Sequence, residues 1–280
     1  MYSGGLTRKL GTMPHDGAMP EGRVRRTPEE EHLADQERLL EELTEQLATK
    51  ETEFATLGVD FARFRAAYLA RFAPLYAELD RLEAEIARLM ADRFGESGAA
   101  ATAARAEADQ AEARAKESAS AAESAQAQEE PRAEPTADIK ALYRQVAKTV
   151  HPDLAADDAE RGRRTRLMAA ASEAYAAGDE QALQRIFDGE TARPEAIVGD
   201  DVGSRLVRVL RNIAQVRGRL TELVELHESL EGDPMWKLFE TVREGNSRGE
   251  DLLEQTEGDL RARTRSARAQ LAALRAEPRA

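Results

Sequence analysis

The sequence predicts an all-α protein with a coiled-coil segment near each end of the chain and a short helical pair between them. Apolar residues recur at seven-residue spacing in both end segments. Aromatic residues make up only 5% of the 280 residues, and charged residues make up 33%. This composition is typical of long solvated helices rather than of a large globular core.

The charge balance and the residue types exclude several classes of function. A net charge of −13 argues against a nucleic-acid-binding protein, because neutralising phosphates requires a basic surface. The chain has no cysteine, which excludes disulfides, thiolate metal sites and a cysteine nucleophile. No segment approaches the roughly 20 apolar residues of a membrane span, and the N-terminus lacks the apolar core of a secretory signal. We therefore expect a cytoplasmic protein with no membrane partner, no cofactor and no bound metal.

The first coiled coil is predicted over residues 28–94, after a flexible Gly-, Pro- and Arg-containing tail at 1–27. Its helix begins at Pro28, where three glutamates stand at the positive end of the helix dipole. From there every seventh residue is apolar: Leu33, Leu40, Leu47, Phe54, Phe61, Tyr68, Leu75, Leu82 and Leu89. Such a repeat predicts a supercoiled helix, and Pro74 predicts a kink or an interruption within it.

Two further segments follow from composition and spacing. Residues 95–137 contain no large apolar side chain, which predicts a linker that is disordered or transiently helical. Residues 203–276 return to apolar heptads, and Gly232 with Pro234 ends one helix before another begins. We expect these two helices to form a hairpin in which Asn246 and Gly249 weaken the second helix. The pattern leaves open whether the coiled coils pair within one chain or between subunits.

The central unit, residues 138–190, contains the motif with chemical content. Its first helix is predicted to end near Val150, because Pro152 disfavours helix in the preceding residue. A second helix is expected from about Ala159. Two short helices joined by a tight loop should lie antiparallel, which would hold the HPD loop (His151-Pro152-Asp153) out at one tip.

A basic stripe runs along the first helix of the central unit. Lys140, Arg144 and Lys148 follow one another at intervals of four residues, so they share one helix face that leads toward the HPD loop. An acidic groove on a partner would match this stripe. The Asp153 carboxylate could accept a bidentate bond from a partner arginine.

The central unit resembles a J-domain, the defining module of DnaJ-type co-chaperones. The resemblance is carried by the HPD loop, by the pair Tyr143-Arg144 that precedes it and by the Glu-Ala-Tyr run Glu173–Tyr175 in the following helix. It covers about fifty residues of the chain. A typical J-domain begins with an additional short helix, but at that place residues 121–130 have nothing large to bury. Either this helix is lost, or one of the coiled coils covers the exposed face.

The resemblance implies a partner and a mechanism. J-domains dock on a DnaK-type (70-kDa class) heat-shock chaperone and stimulate ATP hydrolysis, which traps a client protein. Asp153 would pair with an arginine of the ATPase, Pro152 would fix the loop shape and His151 would orient it. The full set of implied chaperone-binding residues is Lys140, Tyr143, Arg144, Lys148, His151, Pro152 and Asp153. The coiled coils would then serve homo-oligomerisation, or the targeting of a client or location.

Two rival interpretations remain at the level of the sequence. In the first, the coiled coils make the chain a scaffold or adaptor, and the central unit is an inactive J-like hairpin. The intact HPD loop and the basic stripe favour the co-chaperone, whereas the missing first helix favours the scaffold. In the second, the chain is an enzyme. We expect no enzyme, because His151 and Asp153 on a tight loop lack the orienting third group and the pocket that acid–base chemistry needs.

Overall fold

The computed structural model of the chain describes residues 27–93, 98–127, 134–155, 157–192 and 201–276. Within these ranges the protein is all-helical and has no strand, so the predicted fold class is confirmed. The helices are α1 (Pro28–Arg93), α2 (Ala99–Ala127), α3 (Ala137–Val150), α4 (Asp158–Ala177), α5 (Glu180–Thr191), α6 (Val202–Leu230), α7 (Pro234–Ser247) and α8 (Leu252–Ala276). The predicted tail lies outside the described residues except for Thr27. None of the described helices has the combined length and hydropathy of a membrane span.

Helix α1 is the element on which most of the fold is assembled. Its 66 residues extend over about 100 Å, and it packs against α2, α3, α4, α6, α7 and α8. The length fits the predicted coiled coil. The helix runs without interruption through Pro74. Phe72 and Ala73, which precede the proline, are both buried, so packing holds the helix together where one backbone hydrogen bond is missing.

Helices α6 and α8 lie along α1 in the same direction as α1. Arg205 pairs with Glu37 at 2.6 Å, and Arg219 pairs with Glu51 at 2.8 Å; both pairs are separated by 168 residues, which fixes a parallel register. Helix α8 continues along the C-terminal half of α1, where Arg275 pairs with Glu85 at 2.6 Å. The heptad segments near the two ends of the chain therefore pair with each other inside one chain.

The C-terminal region is more divided than the sequence predicts. In place of a two-helix hairpin, the structure has three helices, with a break between α7 and α8. Gly249 adopts a positive φ of 78° at this break, a conformation that favours glycine. The start of α8 passes close to Gly245, where a Cβ atom would lie 2.9 Å from the Leu252 side chain. The sequence had identified this weak point, but it did not indicate that α6 and α8 each pack on α1.

The prediction that residues 95–137 form a disordered or transiently helical linker is wrong for residues 99–127. These form α2, which returns antiparallel along α1, with Arg88 3.8 Å from Asp109. Its buried side chains are all alanines at helical spacing: Ala101, Ala108, Ala111, Ala122 and Ala125. Alanine has little surface to bury, but it loses no side-chain entropy in a helix and allows two helices to approach closely.

The central unit contains three helices rather than the predicted pair. Gly178, with a φ of 70°, ends α4, and the Asp179 side chain caps α5 by accepting a 2.9 Å hydrogen bond from the Ala182 N–H. The shared core is the cluster Ile139, Tyr143, Val146, Val150, Ala171, Ala174, Tyr175 and Leu183, together with Val59 of α1. Helix α1 therefore covers a face of the central unit.

We expect Ala122→Arg to detach α2 from α1, because the buried Ala122 packs with Ala73 and Ala125 and leaves no room for a charged side chain. Amide hydrogen exchange in residues 99–127 should rise at least about tenfold. The matched control is Ala121→Arg on the exposed face of the same turn, which should leave exchange unchanged. Equal exchange in both variants would contradict the packing of α2.

Candidate functional site

The HPD loop forms a tight turn directly after α3. The helix ends at Val150, as predicted, and residues 152–154 form a single 3₁₀ turn. His151 closes this turn in two ways. Its Nδ1 accepts a 3.2 Å hydrogen bond from the Asp153 N–H, and its carbonyl oxygen accepts a 3.1 Å bond from the Leu154 N–H. Pro152 suits the first position of such a turn, because its φ is already fixed and no N–H is lost.

The loop is packed into the body of the protein, so the prediction that it is held out at a tip is wrong. His151 is only 3% exposed. Since its Nδ1 is an acceptor, we assign the proton to Nε2, which lies 3.4 Å from Oε1 of Glu51 in α1. The same carboxylate oxygen accepts the 2.8 Å bond from Arg219 of α6. One glutamate thus links the loop to two long helices.

Glu51 stays ionised at this junction. Burial alone would raise the pKa of its carboxyl, but the hydrogen bonds from His151 and Arg219 outweigh burial and hold the pKa below its ordinary value. A buried charge with well-placed partners is tolerated, whereas removing one partner leaves an uncompensated group. The junction therefore depends on all three side chains.

Asp153 is held through its backbone while its carboxylate stays partly accessible. With its amide oriented to satisfy both bonds, Gln215 of α6 donates to the Asp153 carbonyl oxygen at 2.9 Å and accepts from Arg161 at 2.6 Å. The Asp153 side chain is 26% exposed. It borders a cleft of about 600 Å³ between α4 and α6, whose lining also includes Arg161 and Arg219.

The basic stripe lies on one face of α3, and α1 neutralises its end near the HPD loop. Glu45 of α1 pairs with Arg144 and, at 3.1 Å, with Lys148. The hydrogen bond from Lys148 is the largest cause that lowers the pKa of Glu45. Lys140, at the other end of the stripe, has a more distant partner, Glu134 at 4.0 Å.

Tyr143 is a core residue. It is 1% exposed, its ring centroid lies 4.6 Å from that of Tyr175, and its hydroxyl is 3.1 Å from that of Ser172. Burial raises the pKa of Tyr143 to about 12. In this arrangement Tyr143 positions α3 against α4 from within the core. The other predicted site residues lie along α3 and the turn that follows it.

Sequence reasoning missed the residues of α1 and α6 that surround the site: Glu45, Glu51, Gln215 and Arg219. Charged and polar residues that flank an apolar heptad seam are ordinary in coiled coils, so nothing in the pattern singles these out. Among the described residues, no group of three or more His, Asp and Glu side chains could hold a metal ion.

We expect Glu51→Gln to destabilise the fold by about 1–3 kcal/mol at neutral pH, because the charge-assisted bonds with His151 and Arg219 are weakened. The folded-state pKa of Glu51 lies below its ordinary value of 4.5, so its ionisation stabilises the folded state fully above that value. This stabilisation is lost as the pH falls through the folded-state pKa. Urea unfolding of both proteins should therefore show a difference that shrinks from pH 7 to about pH 3.

The control for this experiment is Glu53→Gln, on the exposed side of α1, where Glu53 pairs with Lys50. It should change the free energy of unfolding by less than about 0.5 kcal/mol. A Glu51→Gln difference that is equally large at both pH values would contradict the assigned role of the ionised carboxylate.

Comparisons of the chain with known protein families, with characterised proteins and with solved structures return no significant match. The functional argument for this chain therefore rests on its motif and on the geometry described above.

Proposed function

We propose that this protein is a J-domain co-chaperone that docks on a DnaK-type heat-shock chaperone and stimulates its ATPase. One observation carries the proposal. A His-Pro-Asp turn joins two packed helices, and the helix before it carries a Lys/Arg stripe that leads to the turn. The tripeptide is a weak signal alone, but its position between these two helices makes the signal much more specific.

The geometry of the HPD loop suits the recognition of an arginine. His151 holds the backbone of Asp153 by accepting a 3.2 Å hydrogen bond from its N–H, while the Asp153 carboxylate is 26% exposed and lies 3.7 Å from Nδ1 of the same histidine. A carboxylate fixed in this way can accept two parallel hydrogen bonds from a guanidinium group on the ATPase. Preorganisation of the loop lowers the entropy cost of binding.

The packing of α1 on the central unit supports the proposal where the sequence departs from the family. The sequence lacks the large apolar residues of the typical first helix, but Val59 of α1 enters the core of the unit, and Thr56 of α1 forms a 2.5 Å hydrogen bond with the Tyr175 hydroxyl. Helix α1 thereby covers apolar surface that would otherwise be exposed. We propose that the long bundle around α1 serves to recruit a client or to target the co-chaperone in the cytoplasm, as a monomer or a homo-oligomer.

The second candidate is a scaffold in which the central unit only packs the bundle. The burial of His151 between α1 and α6 favours this candidate, because it gives the histidine a structural role. The two functions differ in one measurable property, which is whether the Asp153 carboxylate matters to a DnaK-type ATPase.

The test is the steady-state ATPase rate of a bacterial DnaK across a concentration series of the full chain. We expect stimulation that saturates as the concentration rises. Asp153→Asn should reduce this stimulation at least about tenfold, because the substitution removes the charge and keeps the size. Asp158→Asn is the matched control, since Asp158 is a fully exposed aspartate at the start of α4. No stimulation at any concentration, or equal stimulation by Asp153→Asn, would contradict the proposal and favour the scaffold.

The basic stripe provides a second test through Lys140, which α1 does not hold. We expect Lys140→Ala to raise the half-maximal concentration of the protein about three- to tenfold, with the same maximal rate, because the lysine steers docking. The effect should be larger at 20 mM than at 200 mM salt, where screening is stronger. Lys116→Ala, at an exposed lysine of α2 that pairs with Glu112, is the control and should have no effect. A Lys140→Ala curve that matches the wild type at both salt concentrations would exclude this role.

A further inference from the structure

We infer that α1 and α6 mask the docking surface of the central unit, so that a chaperone can bind only when they release it. This inference rests on the proposed function and concerns the regulation of the same site. It depends on three features of the described structure: the pairing of Glu45 with the basic stripe, the burial of His151, and the charge pairs already formed in the cleft beside Asp153.

Glu45 occupies the position that an acidic partner would take. Its carboxylate pairs with both Arg144 and Lys148, the two stripe residues nearest the HPD loop. These two side chains are 45% and 43% exposed, so solvent reaches them, but their charge is already matched. An acidic groove on the chaperone would have to displace Glu45 before it gained the same interactions.

The HPD loop is held from two sides. Glu51 of α1 binds His151 and Arg219, and Gln215 of α6 binds the backbone of Asp153. Leu154, which ends the turn, packs against the apolar cluster that α1 shares with α6. A chaperone that approached the loop from the side of α1 would meet these helices first.

The charged side chains around Asp153 are already engaged with one another in this arrangement. The cleft beside Asp153 is lined by Arg161 and Arg219 as well as by Glu51 and Glu222. Both acids already pair with Arg219, at 2.8 Å for Glu51 and 3.2 Å for Glu222. A partner arginine that entered this cleft would have to compete with Arg219 for Glu51 and Glu222 and would lie close to two guanidinium groups. Movement of α6 away from the loop would remove Arg219 and leave Asp153 free to accept the partner.

The masking contacts on the basic stripe are of a kind that can open without unfolding the central unit. Every buried member of its core comes from α3, α4 and α5 except Val59. The contacts that α1 makes to the basic stripe are exposed ion pairs, which contribute little net stability. The α1–α6 pairing has its own apolar cluster, so the long helices can stay together when the unit moves.

This arrangement has a quantitative consequence for the ATPase assay. If docking requires the released state, the apparent dissociation constant equals the intrinsic constant divided by the released fraction. The wild-type chain then reaches full stimulation, but its half-maximal concentration is the intrinsic value multiplied by the reciprocal of the released fraction. A variant that favours release should lower the half-maximal concentration and leave the maximal rate unchanged.

The test uses the full chain with Glu45→Arg, which places a positive charge against Arg144 and Lys148. We expect the half-maximal concentration for stimulation of a bacterial DnaK to fall at least about fivefold. Amide exchange in residues 145–155, measured without DnaK, should rise at the same time. Glu83→Arg is the matched control, because it reverses a charge of α1 that faces Arg263 of α8, away from the central unit. Gln215→Ala acts from α6 and should shift both readouts in the same direction.

Three outcomes decide the inference, and Asp153→Asn is combined with each variant to identify docking. A lower half-maximal concentration that depends on Asp153, together with faster exchange, supports masking. Equal half-maximal concentrations for the wild type, Glu45→Arg and Gln215→Ala, all dependent on Asp153, overturn masking and leave the proposed function intact. Absence of Asp153-dependent stimulation from every protein, with circular dichroism showing native helix content, overturns the proposed function and the masking with it.

Discussion

The structure depends on one constraint: α1 is too apolar on too many sides to be buried by a single partner helix. Its buried residues include heptad positions such as Leu47 and Leu82, but also Val59 and Phe72, which lie off that seam. A two-stranded coiled coil would leave this second group in water, at a cost of about 1.5–3 kcal/mol for each large side chain. The other helices therefore surround α1 in successive groups, and the central unit is the group that covers Val59.

Local signals in the sequence were sufficient for the helices that have strong apolar periodicity or clear ends. The end of α3 at Val150 follows from Pro152. The apolar heptads near both ends of the chain supply the faces that pack together in the parallel bundle. The packing of helix α2 was missed because its buried face is made of alanines. A search for periodic large apolar side chains does not detect such a face. The start of helix α5 could have been predicted from the sequence. Gly178 is typical of a helix end, and Asp179 after it is typical of the N-cap of a new helix.

The surroundings of the HPD loop could not be read from the sequence. The motif itself is local, and so is the basic stripe. The burial of His151 depends on Glu51 and Arg219, which are 168 residues apart along the chain and meet only because α6 lies parallel to α1 in one register. A shift of α6 by a single turn would move Arg219 away from the loop. The positions of the motif and of the stripe along the chain were therefore readable from the sequence, whereas their accessibility was a property of the tertiary packing.

The parallel pairing of α1 and α6 also sets an order of events during synthesis. Ribosomes add about 5–20 residues per second, so Arg219 is made about 8–34 s after Glu51, its partner 168 residues earlier. Antiparallel α2 follows α1 at once and can cover the C-terminal half of α1 early. The N-terminal half, with Leu43 and Leu47, has to wait for α6. A nascent chain of this protein therefore carries an exposed apolar stripe on α1 for many seconds. The nascent chain is in that interval itself the kind of polypeptide that chaperones bind.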